Sequence, residues 1–83
     1  MARSLKISKQ NEYRYIQIGL NIAYYRKLTG YTQEELADEC NLSRTYISTI
    51  EAPNMITTIS LEALFTLADA LSIEPYKLLE FRE

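Results

Sequence analysis

The chain has 83 residues, a formal net charge of −2 at pH 7 and a hydrophobic fraction of 47%, which suits one small domain with its own core. With one cysteine and no histidine, the composition excludes an internal disulfide and argues against a metal site. The sequence contains no apolar run long enough to cross a membrane and no signal peptide at its start, so we expect a cytoplasmic protein. We expect no cofactor, since the sequence has no glycine-rich phosphate loop.

The charge is distributed unevenly along the chain. Residues 1–27 carry six basic side chains and one acidic one, whereas residues 28–83 carry three basic and ten acidic ones. All charged side chains among the first ten residues are basic. Chain ends without apolar patterning usually stay solvated. We therefore predict a basic N-terminal arm over 1–10, followed by one domain over 11–83.

The first predicted helix begins between Ser8 and Glu12 and ends at Thr29, with Gly30 as its C-terminal stop. Its apolar residues recur at helical spacing, so one face of the helix should pack against the rest of the domain. The predicted buried stripe consists of Tyr15, Ile18, Ile22 and Tyr25.

A second helix is predicted to begin at Gln33, because Thr32 and Glu35 have the spacing of a capping box. Asn41 should end this helix, since asparagine tolerates the left-handed conformation that closes many helices. The predicted buried residues of the helix are Leu36, Ala37 and Cys40.

A third helix is predicted over Arg44–Glu51, capped by Ser43, with Ile47 and Ile50 turned inward. Its outward face is polar and consists of Arg44, Thr45, Ser48 and Thr49. Two short helices joined by a tight turn over 32–51 are typical of a helix-turn-helix, whose second helix can enter the major groove of DNA.

Pro53 should end the third helix and begin a loop that extends to a fourth helix capped by Ser60. The apolar stripe of that helix is predicted to be Leu61, Leu64, Leu67, Ala68 and Leu71. Pro75 indicates the start of a short fifth helix, which would contain Tyr76, Leu78, Leu79 and Phe81. No strand pattern is present, so the predicted fold class is all-α with five helices.

The order of these residues resembles the lambda-repressor-like (Cro/repressor, XRE-type) helix-turn-helix family. The resemblance extends from about Ile18 to about Leu79 and includes Ile18, Ile22, Arg26, Gly30, the run from Thr32 to Ala37, Leu42, Ser43, Tyr46, Ile47, Ile50, Glu51 and the stretch from Ser60 to Ile73. It implies a five-helix DNA-binding domain with a central helix-turn-helix. The length, SRTYISTIE and ISLEAL are most similar to the controller proteins of restriction–modification systems.

The resemblance implies two sets of DNA contacts. The residues implied to contact bases are Arg44, Thr45, Ser48 and Thr49. Arg44 suits this role because a guanidinium can bond guanine O6 and N7 together, while the alternative is a solvated surface arginine. The residues implied to contact phosphates are Gln33, Ser43 and Tyr46, and Asn54 is added as a replacement for family contacts that this chain lacks. For Gln33 the alternative is a good helix former in the first turn of its helix. For Ser43 the capping bond is a sufficient alternative explanation, and Tyr46 can equally be a half-buried ring.

The resemblance also implies structural roles. Arg26 and Glu51 occupy positions that often form an ion pair between the first helix and the recognition helix. The C-terminal residues implied to form a dimer interface are Ile73, Tyr76, Leu79 and Phe81.

The chain departs from the family pattern after Glu51. Ala52-Pro53-Asn54-Met55 stands where relatives usually have basic residues that contact phosphates, so Asn54, Thr57, Thr58 or the N-terminal arm would have to replace those contacts. Ser72 stands where a glycine usually follows the fourth helix.

Together these observations predict a sequence-specific regulator of transcription that binds double-stranded DNA. It would be a homodimeric repressor or autoregulator that reads a symmetric operator through the helix starting at Arg44. The alternative is a protein-interaction module, such as an antitoxin or regulatory partner, that keeps the fold but binds DNA weakly or not at all; the acidic balance favours this alternative. An enzyme is not expected, because the sequence contains no recognisable catalytic motif.

Overall fold

The computed structural model describes residues 6–81. It contains four α-helices, α1 (Lys9–Thr29), α2 (Gln33–Cys40), α3 (Arg44–Glu51) and α4 (Leu61–Ala70), followed by a 3₁₀ helix at Pro75–Leu79. No strand occurs in this range, and none of its helices has the length and apolar character needed to cross a membrane. The all-α class is confirmed, but the prediction of five helices is wrong because the last element is a 3₁₀ turn.

The start of every α-helix is fixed by a side-chain cap, as the sequence predicted for three of them. Ser8, Thr32, Ser43 and Ser60 each accept a hydrogen bond from the backbone N–H three residues further on. The capping box of α2 is complete, because the N–H of Thr32 also donates to Glu35 Oε1 at 2.8 Å. These bonds satisfy amides that have no partner inside the helix.

The predicted arm over 1–10 is only partly described. Residues 1–5 lie outside the described range, and Lys9 and Gln10 belong to the first turn of α1. The structure therefore extends the helix two residues into the segment predicted as an arm, because Ser8 caps it at that point.

Three residues with positive φ end helices or follow them. Gly30 has a φ of 89°, Asn41 one of 55° and Ser72 one of 59°. Asn41 adopts the predicted left-handed conformation, and the N–H of the next residue, Leu42, donates to the carbonyl of Ala37 at 2.9 Å. This turn sets the angle between α2 and α3.

The core lies between α1 and the other helices. Its largest fully buried apolar side chains are Ile22, Leu36, Ile47, Leu67 and Leu78. The predicted stripe of α1 is buried at Ile18 and Ile22, while Tyr15 and Tyr25 are half-buried and pack against the core edge.

The predicted stripe of α4 is wrong at Leu61, which is 67% exposed. Leu61 is the first residue of the helix, so its side chain lies beyond the core. The first buried residue of the helix is Ala63, two positions later. The remaining predicted stripe residues, Leu64, Leu67, Ala68 and Leu71, are all buried.

Asn21 of α1 connects the first helix to the end of the last element. Its side chain is 1% exposed, and Nδ2 donates to the carbonyl oxygens of Leu78 at 3.0 Å and Glu80 at 2.8 Å. These bonds satisfy carbonyl oxygens near the end of the 3₁₀ helix. Pro75 supplies no amide, Glu74 gives no side-chain cap, and Lys77 N donates to the carbonyl of Glu74 in the tighter 3₁₀ pattern.

Gly19 allows α1 to cross α3 at very short distance. A Cβ at this position would overlap the carbonyl oxygen of Ile50 and lie 3.0 Å from its carbon, so the crossing has no room for a side chain. This contact places the C-terminal end of α3 directly on the middle of α1.

Candidate nucleic-acid interface

The outward face of α3 presents four polar side chains in two successive turns. Arg44 and Thr45 are exposed, and Ser48 and Thr49 are half-buried. Their spacing of one and four residues puts all four on the same side of the helix, opposite the buried Ile47 and Ile50. The structure thus brings together the four residues that the sequence assigned to base contacts.

The side chains of this face differ in whether they can donate or accept hydrogen bonds. Arg44 is exposed and makes no ion pair with any of residues 6–81, so its donors are available to a ligand. Thr49 Oγ1 donates to the carbonyl of Thr45 at 2.8 Å, which leaves its oxygen as an acceptor and its methyl group as an apolar contact. The face therefore combines strong donors at the N-terminal end with weaker polar and methyl groups further along.

The four residues assigned to phosphates lie around α2 and α3. Ser43 and Asn54 are exposed, and Gln33 and Tyr46 are half-buried. Ser43 Oγ accepts from the N–H of Tyr46 at 3.0 Å, while its own hydroxyl hydrogen remains a donor. Burial raises the pKa of the Tyr46 hydroxyl above its usual value of 10.0, so this group stays protonated and can donate a hydrogen bond at neutral pH.

A buried ion pair joins α1 to the end of α3. Arg26 Nε donates to Glu51 Oε2 at 2.8 Å and Nη2 to Oε1 at 3.0 Å, while Nη1 donates to the carbonyl of Tyr31 at 2.8 Å. The side chains are only 11% and 5% exposed. Such a two-pronged pair fixes both distance and orientation, so the pairing that the sequence implied holds α3 in place.

The sequence reasoning missed a third member of this cluster. Gln33 Nε2 donates to Glu51 Oε1 at 3.0 Å, so the first residue of α2 is bonded to the last residue of α3. The sequence analysis assigned Gln33 to a phosphate contact alone. Nothing in the spacing of these residues along the chain indicates the bond, which depends on the angle between the two helices.

The C-terminal residues assigned to a dimer interface lie mostly on the surface. Tyr76, Leu79 and Phe81 are exposed, whereas Ile73 is half-buried and packs against the core. Lys77 Nζ lies 5.5 Å from the centre of the Tyr76 ring, a cation–π distance. Three exposed apolar side chains within six residues form a surface that a partner could cover.

Electrostatically, α2 is the acidic part of the motif. Its outward residues Glu34, Glu35, Asp38 and Glu39 are exposed, and two of them lie in its first turn. Acidic residues there stabilise the helix through its dipole, but they also lower the local attraction for phosphates. The positive charge in this part of the molecule comes from Arg44.

Comparison with known proteins agrees with this geometry. A family model described as Helix-turn-helix matches residues 22–78, which include all of α2, α3 and α4. The chain belongs to this helix-turn-helix family. The XRE-type resemblance noted in the sequence is confirmed, since similar proteins include restriction–modification controllers.

Two relatives of this chain have names that state a regulatory role. The chain is 44% identical over 50 residues to control protein C.BamHI of Bacillus amyloliquefaciens, covering 60% of this chain and 59% of the relative. It is 35% identical over 63 residues to the HTH-type transcriptional regulator SinR of Bacillus subtilis, covering 76% of this chain and 56% of the relative. The chain thus spans less than two thirds of the length of these relatives.

The matches to two solved structures cover a larger share of the matched chains. The restriction–modification controller protein C.AhdI from Aeromonas hydrophila matches with a TM-score of 0.71 and 33% identity, over 77% of this chain and 94% of that chain. A structure of SinR in complex with DNA matches with a TM-score of 0.70 and 35% identity, over 76% and 98% of the two chains. The helix-turn-helix fold of this chain is therefore shared with both.

Proposed function

We propose that this protein is a transcriptional regulator that binds double-stranded DNA sequence-specifically through the outward face of α3. The observation that carries the proposal is the exposed Arg44, which forms no ion pair within residues 6–81. It lies at the start of an eight-residue helix whose other side is buried and held against α1 by the Arg26–Glu51 pair. A rigid helix with one polar face suits the major groove, which admits an α-helix and presents a distinct pattern for each base pair. The relatives named as transcriptional regulators support the same function.

The four residues of the outward face have separate roles in this proposal. Arg44 bonds guanine through two of its donors. Thr45 and Ser48 donate to or accept from base edges, and Thr49 offers its oxygen as an acceptor and its methyl group to a thymine methyl. Specificity therefore depends chiefly on Arg44.

The phosphate contacts flank this face. The Gln33 amide, the Ser43 and Tyr46 hydroxyls and the Asn54 amide all carry donors, and Gln33 lies where the backbone amides of α2 begin. Helix starts favour anions because free amides and the helix dipole act together. The basic side chains among residues 1–10 add long-range attraction that the acidic remainder of the chain lacks.

We further propose that the protein acts in the cytoplasm as a homodimer, without enzymatic activity, and represses or autoregulates transcription. The exposed Tyr76, Leu79 and Phe81, with Ile73 beside them, form the proposed dimer surface. In such a dimer, two recognition helices related by a two-fold axis would enter successive major grooves about 34 Å apart. A symmetric operator follows from this geometry.

Fluorescence anisotropy with a labelled duplex tests the proposal. An operator is first selected from random duplexes, and its affinity is then measured at several salt concentrations. We expect the logarithm of the association constant to fall linearly with the logarithm of salt, by about 0.9 for each phosphate neutralised. Absence of binding at low salt would refute DNA binding and favour the protein-interaction module that the acidic α2 surface suggests.

The variant Arg44→Ala tests the reading role. It should cost about 1–3 kcal/mol on the selected operator and relax the preference for one guanine position. Arg14→Ala is the matched control, because it removes the same charge from the exposed side of α1, where Arg14 Nη1 donates to Asn11 Oδ1 at 2.9 Å. The control should leave the base preference unchanged, and equal loss of discrimination in both variants would refute the assignment.

A further inference from the structure

The carboxamide of Gln33 is not a free surface group. Its Nε2 donates to Glu51 Oε1 at 3.0 Å, across 18 residues of sequence. Gln33 is the first residue of α2, and Glu51 is the last residue of α3. The bond therefore connects the proposed phosphate contact with the far end of the recognition helix.

Glu51 determines which side of the amide faces it. A carboxylate accepts hydrogen bonds and donates none, so the side chain of Gln33 must present its NH₂ group to Glu51 rather than its oxygen. The same Oε1 atom also accepts from Arg26 Nη2 at 3.0 Å, and Oε2 accepts from Arg26 Nε at 2.8 Å. With one hydrogen of Nε2 bound to Glu51, the second hydrogen remains as a donor.

The charge of Glu51 is compensated where it lies. A lone buried carboxylate beside the start of α2 would repel a phosphate. The guanidinium of Arg26 contacts both carboxylate oxygens, so the pair as a whole is neutral. Glu51 can thus orient the amide through a hydrogen bond without opposing an anion bound next to it.

We infer that Glu51 is a positioning residue for the DNA backbone, which it acts on through Gln33. Its carboxylate holds the Gln33 amide so that the second N–H of Nε2 donates to a phosphate at the start of α2. One carboxylate thereby fixes both the position of α3 against α1 and the backbone contact of α2. The inference rests on the proposed function, since the phosphate belongs to bound DNA.

A double-mutant cycle on operator affinity tests the inference. The variants are Glu51→Gln, Gln33→Ala and the double variant, measured at a temperature where circular dichroism shows each to be folded. Glu51→Gln keeps the shape of the side chain but removes its charge and leaves one acceptor oxygen for three donors, two N–H groups of Arg26 and one of Gln33. Its effect on the Arg26 pair is present in both backgrounds. We therefore expect Glu51→Gln to lower affinity about tenfold more when Gln33 is present than in the Gln33→Ala background, as for one hydrogen bond to a charged group.

Cys40→Ala is the control for simple destabilisation. Cys40 is buried at the other end of α2, where its Sγ lies 3.8 Å from the carbonyl oxygen of Thr66. The Cys40→Ala substitution should change operator affinity by the same factor in the Gln33 and Gln33→Ala backgrounds. If Glu51→Gln also has the same effect in both backgrounds, its role is only structural and the inference is overturned.

A measurement without DNA separates the two proposals. The side-chain NH₂ resonances of Gln33 should show restricted motion and slow hydrogen exchange compared with those of Gln10, which is exposed at the start of α1. This difference should disappear in Glu51→Gln. Mobility of Gln33 equal to that of Gln10 would overturn the inference while DNA binding stands, and absence of DNA binding by the unchanged protein would overturn the proposed function and this inference with it.

Discussion

Replacing Gly19 by alanine tests how closely α1 approaches α3. In an open position of a helix this change would stabilise the protein, because alanine loses about 0.5–1 kcal/mol less than glycine on becoming helical. At Gly19 the new Cβ overlaps the carbonyl oxygen of Ile50. That atom belongs to the backbone of α3 and cannot rotate away, so one helix must move.

The size of the effect follows from these two opposing contributions. Overpacking in a closely packed interior costs about 1–3 kcal/mol, and a clash with backbone belongs at the upper end. Subtracting about 1 kcal/mol for the better helix former leaves a loss of about 2 kcal/mol in the free energy of unfolding. For a domain of this size, that corresponds to a decrease of about 8–16 °C in Tm.

Thermal and urea denaturation followed by circular dichroism measure the change. Gly30→Ala is the matched control, because a Cβ there has nothing within 4 Å but the φ of 89° is unfavourable for alanine. The control should lose about 1 kcal/mol from backbone strain alone and keep α3 in place, so only Gly19→Ala should also weaken operator binding by the folded protein. A Gly19→Ala variant as stable as the unchanged protein would refute the close crossing.

Three other outcomes are expected. Arg26→Met or Glu51→Ala should each lower the free energy of unfolding by about 3–5 kcal/mol in urea, because the remaining charge stays buried; a loss below about 1 kcal/mol would contradict burial of the pair. Ser72→Gly should raise this free energy by about 1 kcal/mol, since the φ of 59° suits glycine, and an unchanged Tm would count against that backbone conformation. Burial, and secondarily the charge of Glu39, raises the pKa of the Cys40 thiol above 9.0. The stability of the unchanged protein relative to Cys40→Ala should therefore be constant below about pH 9 and fall at higher pH; urea unfolding across pH 7 to 10 checks this, and a rise would contradict it.

Helix boundaries could be predicted well because their causes are local. The capping box of Thr32 and Glu35 and the left-handed conformation of Asn41 depend on residues within a few positions of each other. The last element could not be predicted in the same way. Pro75 starts an α-helix and a 3₁₀ helix equally well, and the end of this element is held by a distant residue, Asn21, which donates to the carbonyl of Leu78 from 57 residues away.

In the candidate site, too, features that depend on local spacing were predicted and features that depend on helix crossing were not. Helical spacing was sufficient to put Arg44 and Thr45 on one face of α3. The bond between Gln33 and Glu51 and the close approach at Gly19 depend on how the helices cross, which the spacing of residues along the chain does not encode. Leu61 has the right spacing for the core but lies at the helix end, beyond the packed surface.

The bonds from Asn21 have a consequence for how the chain folds during synthesis. They join the middle of the first helix to residues 57 and 59 positions later, and Leu78 is fully buried beside them. In a nascent chain that has not yet released this segment, the apolar surface that Leu78 covers in the folded protein is open to water. The core is therefore complete only when about residue 80 has left the ribosome, and the earlier helices are more accessible to chaperones and proteases until then.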